Sequence, residues 1–254
     1  FPCGWFLWKG MFSHRLLPRL LVVVFLAGLE GFFGWIMVKS GLSSRPWVNA
    51  YNLTLHLTMA LIIFSYLMWT TFLAFKPYPP VIHIKNGRQL AWGILVLAFI
   101  QLALGAMMSG TKAGLFYPDW PDMQGAFFPS ILLDGTQWTW TSFIEYDTNP
   151  FMPALIQVLH RNIAYFLTVL ILYLSWLILR SNPISKTIRK GTILLLIAVA
   201  LQVVLGVFTL INCVGHIPVT LGVLHQAGAV LLLSSILFIT FHLSGKELPT
   251  FVNK

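Results

Sequence analysis

Three histidines fall at one depth in a chain made mostly of long apolar runs. His56 is six residues past Ala50, His160 nine past Phe151 and His225 eight past Ile217, each at or next to the start of an apolar run. At 1.5 Å per helical residue, these offsets put all three imidazoles about 9–13 Å below one surface. A neutral imidazole keeps a nitrogen open for a metal, and an ionisable group at such depth is costly and marks function by default. Imidazole pairs presented by facing helices ligate haem. A lone histidine on an apolar face is more often a hydrogen-bonded structural residue, and it is the matched depth of three that favours ligation.

The other runs add polar members to the same layer. Glu30, Gln101 and Gln202 are each followed four residues later by a glycine, Gly34, Gly105 and Gly206. The glycine lies one turn on along the same face, where it admits a close helix or a flat macrocycle. A Glu/Gln-x-x-x-Gly helix leads into a histidine helix from Glu30 to His56 and from Gln202 to His225, and the Gln101 helix precedes the His160 helix. This is an internal repeat, and by its logic another histidine helix is expected before Glu30. The remaining histidines read as solvated or interfacial: His14 and His83 in inner loops, His242 at the inner end of the last run, His216 outside before it. Cys3, near the inner end of an apolar stub, and Cys213, on the outer side, are expected not to pair; Cys213 reads as a small buried hydrophobe. No CxxCH, CxxC or P-loop pattern occurs, so covalent c-type haem attachment and nucleotide binding find no support.

The elements that carry these residues are membrane helices. Hydrophobic residues make up 57% and charged residues 9% of the chain, with a mean hydropathy of +0.81, which excludes a soluble domain. Six runs, 18–38, 50–75, 89–109, 152–180, 190–212 and 217–243, are each long enough to cross about 30 Å of hydrocarbon as a helix. The net charge of +9 does not indicate nucleic acid, because the basic residues are scattered singly in short connections. Lys9, Arg15, Arg19, Lys76, Lys85, Arg88, Arg180, Lys186, Arg189, Lys190, Lys246 and Lys254, twelve of sixteen, share one side, which is therefore cytoplasmic, or matrix in a mitochondrion. Lys39, Arg45, Lys112 and Arg161 lie on the exoplasmic side with most of the acids. Residues 110–150 there are rich in Trp, Pro and Phe and read as a structured cap over the polar layer. The opening Phe-Pro-Cys-Gly-Trp-Phe-Leu-Trp is expected to be the end of an interrupted span.

At this point the residues resemble a family. Gly34-Trp35-Ile36-Met37-Val38-Lys39-Ser40-Gly41-Leu42, followed by Leu55-His56-Leu57, is similar to the signature of haem A synthase. Ala113-Gly114-Leu115-Phe116-Tyr117-Pro118-Asp119-Trp120-Pro121-Asp122-Met123 resembles that family's aromatic exoplasmic loop, His160-Arg161 its His-Arg pair, and Leu224-His225-Gln226-Ala227-Gly228 its last histidine helix. The likeness runs from about residue 5 to 243.

The resemblance implies an all-α membrane protein of eight helices in two pseudo-symmetric four-helix halves. Here 1–75 is a partial first half on the substrate side, 76–88 a cytoplasmic linker, and 89–244 a complete second half with the cap. His160 and His225 then ligate a b-type haem cofactor, and His56 belongs to the site of the substrate, haem O. One methyl group of haem O is oxidised to formyl by successive hydroxylations through a geminal diol, for cytochrome oxidase biogenesis. The family's essential Glu and the partner of His56 fall on an earlier helix missing from this chain, and Glu30 does not take their place. Haem O synthase, an unidentified electron donor and membrane lipid are the implied partners, with a homo-oligomer compatible. The expected host is a bacterial cytoplasmic membrane, with the mitochondrial inner membrane as the alternative.

Arg161 is a candidate for a haem propionate or for interfacial snorkelling, with Lys112 and Lys39 weaker candidates for the propionate. Trp35, Trp47, Trp120, Trp138 and Trp140 read as an interfacial belt. A di-haem b-type electron-transfer cytochrome uses the same histidine geometry without substrate chemistry and stays open. A transporter predicts mid-membrane carboxylates and broken helices, whereas Glu30 is the sole acid of the six runs.

Overall fold

A computed structural model describes residues 2–11, 16–41, 46–75 and 84–245. His14, Arg15, Arg45, Lys76, His83, Lys246, Lys254, most of the 76–88 linker and the side chain of Cys3 lie outside the described residues. The elements are α1 (Pro2–Trp8), α2 (Leu17–Lys39), α3 (Ala50–Phe75), α4 (Gly87–Gly110), α5 (Ala113–Phe116), α6 (Trp140–Ile144), α7 (Phe151–Arg180), α8 (Lys186–Ile211) and α9 (Val219–Leu243), with short 3₁₀ turns at Ser130–Leu132 and Gly135–Gln137. Six of these helices are long and apolar enough to cross a membrane. The protein is an all-α integral membrane protein, as its composition requires.

The expected runs coincide with α2, α3, α4, α7, α8 and α9, with shifts at the ends. α8 starts at Lys186 rather than at residue 190, because the Ser185 side chain accepts a hydrogen bond from the Ile188 amide and the basic residues Lys186, Arg189 and Lys190 occupy the first turns. α9 starts at Val219, behind Pro218, which carries a non-helical backbone.

α4, α7, α8 and α9 form a ring in which each helix packs on its two neighbours, leaving α7 and α9 diagonal to one another. α3 lies outside the ring against α4 and α9, and α2 packs chiefly on α3. That position explains why α2 buries none of its residues. Inside the ring, Ile94, Leu95 and Ala98 meet Leu167, Ile171, Leu174 and Ile178, Leu195 and Val199, and Leu233, Ile236 and Leu237. This packed layer fills the half of the ring away from the cap.

At that far end the helices are joined by aromatic rings. Trp69 and Phe72 of α3, Trp92 of α4, and Phe238 and Phe241 of α9 make edge and tilted contacts with centroids 5.2–6.1 Å apart. His242 belongs to this cluster: it is buried, its ring lies 4.2 Å from that of Phe238, and its Nδ1 lies 2.8 Å from the Phe238 carbonyl oxygen. The solvated or interfacial place expected for it is therefore corrected. The inner end of α9 is covered by α3, α4 and α8, and Gly191 of α8 supplies the gap, since a Cβ there would fall on the Phe238 ring.

The cap is tied to both sides of the molecule. The Tyr146 hydroxyl, fully buried, accepts from the Ala50 amide (2.9 Å), the Tyr51 hydroxyl donates to the Phe143 carbonyl (2.8 Å), and the Trp47 indole donates to Asp147 (3.0 Å). These contacts hold the start of α3. There Gly110 meets Ala50 so closely that a Cβ would lie 2.7 Å from the Ala50 Cα. Gly110→Val should therefore wedge α3 from α4; overpacking of this kind costs about 1–3 kcal/mol, read as a lower thermal unfolding midpoint in detergent with helical content unchanged below it.

Candidate functional site

The histidines of the layer meet the Glu/Gln-x-x-x-Gly helices in three repeated units. In the α2–α3 unit, Glu30 Oε1 lies 3.0 Å from His56 Nδ1. In the α4–α7 unit, the Gln101 amide nitrogen lies 3.1 and 3.2 Å from the two ring nitrogens of His160. In the α8–α9 unit, that of Gln202 lies 3.1 and 3.4 Å from those of His225. One turn on, the glycine of each unit forms the floor under the imidazole: a Cβ would lie 3.0 Å from Cε1 of His56 at Gly34, 3.2 Å from that of His160 at Gly105, and 2.9 Å from that of His225 at Gly206. The glycines admit the neighbouring histidine ring. A helix-packing notch was one of the two roles open from sequence, and the ring it receives is the refinement.

The α8–α9 unit adds a reciprocal notch. A Cβ on Gly228, one turn beyond His225, would fall on the Gln202 amide oxygen. Each helix thus accepts the polar side chain of the other against bare backbone, which brings two apolar helices close.

His160 and His225 stand on the diagonal helices of the ring and within electrostatic reach of each other. Along α8 and α9 the packing stops at their level: beyond Val199, α8 buries no residue toward the cap end, and α9 buries none before Gly228, whereas α4 and α7 stay buried to their cap ends. The side chains around the layer keep unused hydrogen-bonding capacity. Gln101 Oε1, Gln202 Oε1, Glu30 Oε2 and His56 Nδ1 are buried without a hydrogen bond among the described residues, so the Glu30–His56 approach is close without being in line. Buried polar atoms left without partners are uncommon and call for a physical reason.

α7 carries the cap on one face. Gln157, Arg161 and Tyr165 follow at four-residue intervals and so share a stripe. The Gln157 amide donates to the Tyr117 carbonyl (2.8 Å), and the Arg161 guanidinium donates from Nη1 to Pro121 (2.8 Å) and from Nη2 to Phe127 (2.6 Å). The Tyr165 hydroxyl accepts from the Trp120 indole (2.9 Å). Arg161 is only 7% exposed and lies over the Phe127 ring at 4.4 Å, with its Nε buried and without a hydrogen-bond partner among the described residues. Two of its donor positions therefore serve the cap, a use neither of the sequence expectations contained. The signal for the stripe was the four-residue spacing of Gln157, Arg161 and Tyr165, which carries weight only once the loop facing it is known.

The weaker candidates are engaged elsewhere. Lys112 Nζ sits 2.9 Å from the Trp47 ring centre and Lys39 Nζ 4.7 Å from that of Trp35. Trp35, Trp120, Trp138 and Trp140 are exposed, as a belt requires; Trp47 and Trp138 direct their indole N–H groups into the cap, and Trp120 directs its own to Tyr165 of α7. Cys213 is buried against Gly114 of the cap, where a Cβ would lie 2.8 Å from its sulfur; burial pushes its thiol pKa up.

A model of the cytochrome oxidase assembly protein family matches residues 1–237. The chain is 35% identical over 235 residues to a haem A synthase of Bradyrhizobium sp. (strain BTAi1), covering 92% of this chain and 62% of that one. It is 37% identical over 234 residues to a haem A synthase of Caulobacter sp. (strain K31), covering 92% and 65%. A haem A synthase of Bradyrhizobium diazoefficiens is 36% identical over 248 residues, covering 97% and 65%. The chain thus spans a little under two thirds of the length of these relatives.

Arg161→Met should free the cap from α7, since hydrogen bonds to a charged group are worth about 1.5–3 kcal/mol each and the two carbonyls lose their donors. Amide exchange of residues 116–129 is expected to accelerate while the transmembrane helices keep their protection; unchanged exchange there would show that Arg161 does not hold the cap.

Proposed function

The chain belongs to the cytochrome oxidase assembly protein family, and from that premise we propose that it forms the haem-handling part of a haem A synthase. The reaction is the oxidation of one methyl group of haem O to a formyl group, by successive hydroxylations. Haem O is the substrate, supplied by a haem O synthase, and a b-type haem is the resident cofactor, served by an electron donor still to be identified. The observation that carries the reading is the threefold unit: an imidazole, a Glu or Gln amide or acid, and a glycine floor, set at one depth in three helix pairs.

The residues of the second half fit a b-type haem. His160 and His225 stand on diagonal helices, the packing along α8 and α9 ends at their level, and the glutamine oxygens beside them lack hydrogen-bond partners among the described residues. When bound, that haem supplies one-electron redox chemistry, and two imidazole ligands suit electron transfer better than oxygen binding. The chain's own residues hold the imidazoles. Gly105 and Gly206 let each ring lie against the neighbouring helix, and Gln101 and Gln202 restrain its rotation. Arg161, anchored through Nη1 and Nη2, keeps Nε for a carboxylate such as a propionate. The cap and the apolar helices exclude water. His56, with Glu30 beside it, belongs to the substrate site. We infer the cap side to be exoplasmic from the basic residues at the opposite helix ends, in a bacterial cytoplasmic membrane or a mitochondrial inner one.

Detergent-purified protein should show a b-type Soret band that His160→Ala or His225→Ala abolishes; a wild-type protein without it, or a band untouched by both changes, would sink the reading. The full-length protein given haem O and reductant should yield the formyl product by pigment extraction and mass spectrometry. A stable haem spectrum without conversion would instead favour a di-haem b-type cytochrome, which shares the histidine diagonal.

A further inference from the structure

The three histidine units share a plan and differ in one group. Gln101 and Gln202 each present a neutral amide whose nitrogen stands nearly equidistant from both ring nitrogens of the partner histidine. In the α2–α3 unit the same position, one turn before the glycine floor, holds a carboxylate, whose Oε1 lies 3.0 Å from Nδ1 of His56. Glu30 is 19% exposed and His56 31%. Both Glu30 Oε2 and His56 Nδ1 are buried without hydrogen bonds among the described residues.

An acid in an apolar helix is costly, and a polar group there that serves packing alone is better supplied by an amide, as the other two units show. The chemistry separates the two. A carboxylate only accepts, so it demands the proton on Nδ1 and leaves Nε2 as the open nitrogen; an amide can donate or accept and enforces neither tautomer. A carboxylate behind an imidazole also raises its basicity as a ligand, which orients the ring and tunes the metal it holds. The Gly34 floor, which a Cβ would bring to 3.0 Å from Cε1, keeps the ring against α2 and within reach of the acid.

We propose that Glu30 is the positioning residue of the His56 site: its carboxylate, 3.0 Å from Nδ1 and out of line in this structure, turns to accept from Nδ1–H when Nε2 ligates haem iron, and makes His56 a stronger donor than the glutamine-backed His160 and His225. The inference rests on the reading that these histidines hold haem. Its consequence is that the two halves present electronically different sites, the His56 site favouring ferric iron.

The test uses the full-length protein loaded with haem, with the spectral component lost in His56→Ala identifying that site. Glu30→Gln should shift the reduction equilibrium of that component about tenfold toward ferrous, which is 59 mV for a one-electron couple, and weaken its haem affinity by about 10–100-fold. The component belonging to His160 and His225 should not move, which also reports that the variant is folded. Gln202→Glu should do the reverse, lowering the potential of the His225 component. A Glu30→Gln potential equal to wild type, or one that shifts equally at both components, would overturn the proposal while leaving haem binding intact. A wild-type protein without haem removes the functional reading and this inference together.

Discussion

An imidazole in the apolar interior of a helix pair must have its polar neighbour built into the adjoining helix, because hydrocarbon supplies none. The arrangement of this protein follows from that constraint. Each of His56, His160 and His225 lies against a helix that offers a Glu or Gln at its level and a glycine one turn on. The acid or amide answers the ring nitrogens, and the missing side chain of the glycine gives the ring its place. A larger residue at any of these glycines would push the imidazole away from its partner, so the polar and the steric halves of the unit depend on each other.

The unit also explains which helices must be neighbours. α2 and α3, and α8 and α9, are consecutive and antiparallel, so a short connection suffices to bring the amide or acid to its histidine. α4 and α7 achieve the same pairing across residues 111–150, and those residues are the cap. The cap is therefore more than a connection. Its carbonyls at Tyr117, Pro121 and Phe127 receive Gln157 and Arg161, which engages two nitrogens of a buried guanidinium next to His160, while Tyr146 and Asp147 fasten the start of the His56 helix. One irregular segment thus holds the His56 and His160 helices at their cap ends.

Much of this was legible in the sequence. The depth of the histidine layer could be read because a helix converts sequence offset into distance at a fixed rise. The pairing of Glu30 with His56 and of Gln202 with His225 could be read because consecutive membrane helices pack antiparallel, and that of Gln101 with His160 by extension of the repeat. The object received by Gly34, Gly105 and Gly206 was not legible, since a missing side chain says nothing about what fills the space. Nor were the partners of Arg161, because a backbone carbonyl has no residue type and Pro121 and Phe127 are about forty residues away in sequence. His242 looked interfacial by its position near a helix end; it is buried beside Phe238 and Phe241 of its own helix, whose rings pack on Trp69 and Phe72 of α3.

By itself the sequence determined the properties that are local along the chain: an all-helical membrane protein, its six apolar spans, the level of its polar groups and the repeat that relates them. Hydropathy, periodicity and helical rise act within one segment and need no knowledge of the others. The tertiary structure decided what depends on two segments at once: the diagonal of α7 and α9 that carries His160 and His225, the glycine floors, the seating of the cap on α7, and the approach of Glu30 Oε1 to Nδ1 of His56. Those contacts are set by the complementary shapes of side chains brought together from distant parts of the chain, and no spacing within either partner specifies them.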